Sequence, residues 1–393
     1  MSAIGVTVVL VAGSCSSSGS SSTPSPSASS VALGQQTQAQ LQKVLDDVRT
    51  KFGFPGVEAG VWSDSGEWIG VSGTAGPGQT QAPTAADHTR IGSITKTFTG
   101  TAVLQLIEDG QLSFDDVINK YVPGMPNGDM ATIKNLIEMQ SGIPSYTAST
   151  DIVNEFNAKP TTVFTPQQLV NSVKKEKPDF APGARFSYSN TNYVLLGMVI
   201  EKVTGKSIAD VYKERILDPL KLSQTSVPGN SPEIPAPFLS GTSTQANPIG
   251  EVKNATNWSP TLAFTAGEMI STLEDLHKWG VALGTGQGIL KPDTQQMRLD
   301  SVNTSVPPNT PQRSYGMGIV NTGGWLGHTG EIPGYNTVLN YRPDSHTTIA
   351  VMVNSDIALG PENAPIAPAV AVFEGLAAVM TPGGPPSPSA SSS

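Results

Sequence analysis

A hydroxyl and an amine stand one helical turn apart in the run Arg90-Ile91-Gly92-Ser93-Ile94-Thr95-Lys96-Thr97-Phe98. From residue 94 to 107 the one ionisable side chain is Lys96, while Ile94, Phe98, Ala102 and Leu106 recur every four residues. That period predicts a helix burying one face, with Gly110 placed to stop it. A lysine in the first turn of a buried helix is costly unless its charge is matched or suppressed. Ser93, on the same face, must lose a proton if it is to attack a carbonyl, so the pair suits nucleophilic catalysis. Ser-x-x-Lys recurs at Ser172 and Lys175, in a charged, exposed setting without supporting residues. The spacing alone therefore carries little weight.

Two further motifs have residue types that complement the pair. Tyr188-Ser189-Asn190 follows the turn Pro182-Gly183 and precedes a predicted helix that Asn190 or Thr191 could cap. A tyrosine on such a loop can point into a crevice or anchor a core. His328-Thr329-Gly330 closes a predicted strand over 325–329 and leads into Glu331-Ile332-Pro333-Gly334-Tyr335. Small or polar residues there let a substrate backbone lie along the strand edge, although by itself this is a strand end.

The elements that must position these residues are legible in outline. A helix is expected over 38–51, and strands over 57–62 and 67–71 flank the hairpin signal Asp64-Ser65-Gly66. Period-two alternation predicts a strand over 314–320, and further strands are expected over 325–329, 336–341 and 347–353. A closing apolar helix, 368–380, begins with proline. Helices such as 192–202 and 271–283 fill most of the middle. The expected class is α+β: one antiparallel sheet of about five strands, flanked by the N- and C-terminal helices, with a large helical insertion. The sheet part is assigned to 35–100 and 260–380 and the helical part to 100–260, with the site in the crevice between them.

Composition removes several alternatives. The net charge is −9, and Lys174-Lys175-Glu176-Lys177 is short enough to be a solvated helix end. Nucleic acid and a polybasic membrane contact are thus disfavoured. His88, His277, His328 and His346 lack His-Glu-x-x-His spacing, no Gly-x-Ser-x-Gly elbow occurs, and neither metal nor cofactor is expected. The one cysteine, Cys15, follows an apolar run over 3–12 and the small residues Gly13 and Ser14. This resembles a bacterial lipobox, although no Lys or Arg precedes Lys43 and Ala12 replaces the usual larger aliphatic residue. The alternative is an ordinary secretory signal, and both imply export. Residues 1–34 are read as signal plus flexible linker, 35–380 as the folded domain, and 381–393 as a disordered tail.

Taken together, Ser93-x-x-Lys96, Tyr188-x-Asn190 and His328-Thr329-Gly330 resemble the serine β-lactamase and penicillin-binding protein superfamily. The likeness is greatest to class C β-lactamases and D-alanyl-D-alanine carboxypeptidases of that type. The separations of 95 and 140 residues fit, as do Phe180-Ala181-Pro182-Gly183 and Tyr193-Val194-Leu195-Leu196-Gly197. The resemblance implies a β-lactamase/transpeptidase-like fold and an acyl-enzyme on Ser93, with Lys96 or Tyr188 as the base. It also implies an oxyanion hole from the backbone N–H groups of Ser93 and Glu331, substrate amide binding by Asn190, and carboxylate binding by Thr329 beside Gly330. Histidine at 328, where class C β-lactamases usually have lysine, resembles the carboxypeptidases and some esterases. A histidine is partly charged near neutral pH. The implied function is an exported carboxypeptidase-like hydrolase acting on a peptidoglycan stem peptide or a β-lactam, membrane-associated only through a lipid anchor. A β-lactamase, an esterase, or a non-catalytic surface-tethered binding module are the alternatives.

Overall fold

The computed structural model describes residues 31–246, 249–360 and 365–381. Cys15, its apolar run and the tail beyond residue 381 lie outside them. Residues 31–34, expected to be linker, belong to the folded unit. The Leu33 amide donates to Glu67 O at 3.0 Å, the Glu67 amide donates to Val31 O at 2.8 Å, and Leu33 is buried.

The central sheet has seven antiparallel strands rather than about five. They are β1 (Gly56–Ser63), β2 (Gly66–Gly73), β3 (Arg313–Tyr315), β4 (Val320–Thr322), β5 (Trp325–Ile332), β6 (Tyr335–Arg342) and β7 (Thr347–Val353). Their order is β2-β1-β7-β6-β5-β4-β3, so the chain's two ends meet where Val57 of β1 pairs with Val353 of β7. The strand expected over 314–320 is instead a hairpin, β3–β4. Gly318, at φ +70°, takes a left-handed turn there that breaks the alternation. The strand expected to end at Thr329 runs on to Ile332, because the turn to β6 comes at Gly334, φ +92°. His328-Thr329-Gly330 therefore sits inside a strand.

One sheet face is closed by α1 (Gln35–Phe52) and the C-terminal helix Pro368–Met380. Leu41, Leu45, Val338, Val351 and Phe373 are buried there together. Period-two strand alternation supplies this layer from Val57, Ala59 and Val61, and Trp62 turns to the opposite side. On the other face lies α2 (Thr95–Glu108), which is buried on every side from Thr95 to Leu106 rather than on one face. Its threonines make this tolerable. Thr97 and Thr101 donate their hydroxyls to the carbonyls of Ile94 and Thr97, and Thr99 donates to Thr265 O, so they bring few unmet hydrogen bonds into the core. Phe98 stacks on Trp279 at 4.0 Å, and the Trp279 indole donates to Thr97 Oγ1 at 2.7 Å.

The entrance to α2 is a 3-10 turn, Gly92–Ile94, pressed against β5. Gly92 has φ +50°, and a methyl there would come within 2.5 Å of the Glu331 nitrogen. A methyl on Gly330 would come within 2.0 Å of Ile91 O, which also accepts the Thr337 hydroxyl at 2.9 Å. Backbone thus meets backbone where Ser93 enters its helix. Gly92→Ala combines a left-handed strain with a clash and should lower stability by about 2 kcal/mol or more in urea unfolding. An unchanged midpoint would show that the turn and β5 are less tightly seated.

Candidate active site

Ser93 sits on the 3-10 turn, half-buried, with Lys96 fully buried in the first turn of α2. Lys96 Nζ lies 2.8 Å from Ser93 Oγ and donates to Ala266 O at 2.6 Å. Burial pushes the Lys96 amine well below the usual lysine range, because the charged form has lost its water. Rings lie over it on two sides, Tyr188 at 4.9 Å and Tyr193 at 5.8 Å from their centroids.

Tyr188 donates its hydroxyl to Ser93 Oγ at 2.9 Å. Burial raises its phenol above the ordinary value, against the opposing effect of the Ser93 bond. The loop delivers this side chain to the crevice while its ring packs edge-on against Tyr315 at 6.2 Å. Asn190 does not cap the following helix: it is the first residue of Asn190–Thr204, and Ser189 holds the cap position without a side-chain bond. Nor does Thr191 cap it, since its hydroxyl donates to Pro144 O at 2.7 Å. The Asn190 amide N–H is met instead by Ser145 Oγ at 3.2 Å, and its side chain has no protein hydrogen bond among the described residues. That carboxamide is available to a ligand.

β5 forms the facing wall. His328 and Gly330 are buried, while Thr329 and Glu331 alternate with them and are exposed. The setting of His328 disfavours the charge that a histidine in water would partly carry. Burial, foremost, pushes it down to about 3, although its Nδ1 contact with Thr329 O, at 2.5 Å, acts the other way. Its Nε2 is buried without a partner. The surrounding protein and the Asp356 charge push the Glu331 carboxyl upward, although its side chain stands at the open rim.

Ser93, Lys96, Tyr188, Asn190, His328, Thr329, Gly330 and Glu331 thus converge from three distant segments. The second Ser-x-x-Lys does not. Ser172 bonds Leu169 O at 2.7 Å in a turn, and Lys175 is exposed. Three groups near the site had no motif to announce them. One is the Ala266 carbonyl. Another is Asp356, whose carboxylate accepts Ser243 Oγ at 2.8 Å and Gln245 Nε2 at 2.7 Å. The third is Arg313, at the start of β3, whose positive charge acts on both Tyr188 and His328.

The Beta-lactamase family model matches residues 41–370. The chain belongs to that family. Its fold is that of the β-lactamase/transpeptidase-like superfamily. A D-stereospecific amidohydrolase from Streptomyces sp. superposes with TM-score 0.74 at 33% identity, covering 81% of this chain and 94% of the other. The D-amino acid amidase from Ochrobactrum anthropi SV3, complexed with L-phenylalanine amide, gives TM-score 0.75 at 26% identity, covering 88% and 97%. Protein flp of Staphylococcus aureus (strain MRSA252) is 28% identical over 269 residues, 67% of this chain and 52% of its own length. The chain spans about half the length of the curated relatives it matches first.

The electrostatics make two predictions. With its folded pKa depressed, Lys96 binds fewer protons in the folded chain than in the unfolded one. Stability should therefore rise with pH from the depressed pKa to about 10.4. Lys96→Met should remove one proton's worth of that slope in urea unfolding, and an unchanged slope would show Lys96 charged in the fold. The His328 ring protons should show no titration between pH 5 and 8 by NMR. A midpoint near 6.5 would mean the imidazole is solvated.

Proposed function

We propose that this chain is an exported serine hydrolase that opens an amide bond beside a D-residue through an acyl-enzyme, in the manner of a D-alanyl-D-alanine carboxypeptidase. The supporting observation is the Ser93 oxygen held between a desolvated amine at 2.8 Å and a phenol at 2.9 Å. In this reading Ser93 Oγ attacks the carbonyl and its proton passes to the uncharged Lys96 amine, the better base because burial disfavours the Tyr188 phenolate. As the C–N bond breaks, the proton returns through the Tyr188 hydroxyl to the departing nitrogen. Water then attacks the ester by the reverse route, releasing the acid and restoring the serine.

The backbone N–H groups of Ser93 and Glu331 are assigned to the developing oxyanion, since Gly92 brings the two segments into contact. Asn190 takes the substrate amide. With His328 neutral, the positive charge for a terminal carboxylate falls to Arg313, acting with the Thr329 hydroxyl. A peptidoglycan stem peptide supplies such a carboxylate. A β-lactam supplies another, and a labelled penicillin should acylate Ser93 and leave slowly. Fast turnover would make the chain a β-lactamase.

A second reading, an amidase for D-amino-acid amides, is favoured by the Glu331 carboxylate at the rim with Asp356 behind it. Such a pair suits an α-ammonium, and the likeness to the Streptomyces amidohydrolase at 33% identity supports it. Export, with Cys15 as the lipid-bearing residue, is proposed from the sequence pattern. Palmitate incorporation that persists in Cys15→Ser would refute the anchor.

Ser93→Ala should abolish labelling by a fluorophosphonate and lower hydrolysis about 10³-fold or more. Arg313→Ala should raise KM about tenfold for a D-Ala-D-Ala peptide and leave a D-amino-acid amide unaffected. If Arg313→Ala is silent while Glu331→Gln raises KM for the amide, the amidase reading replaces the carboxypeptidase.

A further inference from the structure

Met139 is fully buried, makes no contact required by the chemistry above, and holds an unusual backbone conformation. Its φ is +57°, in the left-handed region that a side chain with a Cβ enters at a cost. It follows the short helix Ile133–Ile137, and its own amide donates to Leu136 O at 3.1 Å. Strain of this kind persists where the surroundings over-determine it, and three bonds do so here.

The Ser187 amide donates to the Met139 carbonyl at 2.9 Å. The Ser189 amide donates to the Met139 sulfur at 3.4 Å, and Asn192 Nδ2 donates to the same sulfur at 3.4 Å. The backbone N–H groups of Ser187 and Ser189, the residues on either side of Tyr188, are thus both held by one residue. Asn192 is fixed in turn, its Oδ1 accepting the Ser141 hydroxyl at 2.5 Å. A thioether is a weak but polarizable acceptor, and two donors on one sulfur exceed what packing alone asks of methionine.

We propose that Met139 is a positioning residue for Tyr188: its carbonyl and its sulfur clamp the amides of Ser187 and Ser189, the residues on either side of the tyrosine, and so fix the phenol on Ser93 Oγ. The left-handed backbone turns the carbonyl and the side chain of Met139 towards the same loop. Removing the sulfur leaves the Ser189 N–H and the Asn192 amide buried without acceptors, and the loop relaxes to satisfy them. A shift of even 1 Å in the phenol weakens its bond to Ser93 and slows acylation. The proposal rests on Ser93 being acylated with the help of Tyr188.

The test compares Met139→Leu, close in volume but without the sulfur acceptor, with Met139→Gln, whose amide oxygen restores one. Pre-steady-state acylation of Ser93 by a nitrophenyl ester is followed across pH, together with Tm. Met139→Leu should acylate about ten- to a hundredfold more slowly at unchanged KM. Its pH profile should also be displaced, and Met139→Gln should recover most of the rate. A Met139→Leu enzyme with a lower Tm but the wild-type rate and pH profile would overturn the clamp and leave a structural residue. Should Met139→Leu fail to fold, Met139→Gln decides: near-wild-type acylation supports the clamp, and a folded but slow enzyme refutes it. If wild type itself shows no acylation at Ser93, the proposed function fails and the clamp's catalytic role fails with it. In that case Tyr188 would have nothing to serve.

Discussion

The site depends on keeping one amine dry. Lys96 is fully buried, and burial is what depresses its affinity for a proton. Its hydrogen bond to Ala266 O directs the amine so that its remaining valence faces Ser93 Oγ. A carboxylate beside it would restore the charge, so the surroundings must be polar enough to orient the amine without being anionic. Backbone carbonyl, serine hydroxyl and two aromatic faces meet that condition. Glu268, two residues after Ala266 and almost fully buried, is itself pushed up to about 8 by burial and the Glu201 charge, which favours its uncharged form at neutral pH.

Dryness requires that the walls do not part, and the hydrogen bonds run across the segments that would have to move. Thr99 Oγ1 donates to Thr265 O at 2.7 Å, and Thr265 Oγ1 donates to Tyr193 O at 2.8 Å, tying α2, the Ala266 turn and the helix after Tyr188 together. Tyr193 OH donates to Ile137 O at 2.9 Å, and Tyr146 OH donates to Leu262 O at 2.5 Å. On the sheet side, glycines at 92 and 330 let β5 approach α2's entrance at backbone distance. Site precision comes from these cross-links between elements rather than from a loop's own conformation.

Local chemistry was legible and long-range consequence was not. The Ser93–Lys96 pair could be read because fourteen positions carry a single ionisable group, an anomaly visible without a fold. The closing helix could be bounded because Pro368 occupies its first turn. The β3–β4 hairpin was hidden by alternating glycines, which mimic a strand period while permitting a left-handed turn. Asn190 looked like a cap because Asn favours that role, but Ser145, 45 residues away, meets its amide instead. Arg313 and Met139 carry no local signature, since their significance comes from what the sheet edge and the Glu138–Met139 bend bring near them.

Burial disfavours the charged form of His328 as it does that of Lys96. A lysine at position 328 would add a cation beside the amine and depress it by charge as well as by burial. Histidine, with its Nδ1 turned to the Thr329 carbonyl and no charge to share, leaves burial to do that work alone. The trade has two sides. In the proposed reading, the fixed positive charge that draws a carboxylate stands away from the base, on Arg313 at the sheet edge. Lys96 in turn becomes sensitive to anything that admits water, above all to the seating of the Tyr188 ring that covers it. The residue proposed to complete the proton path also covers the amine with its ring, so the loop that carries Tyr188 must be held on both sides of it.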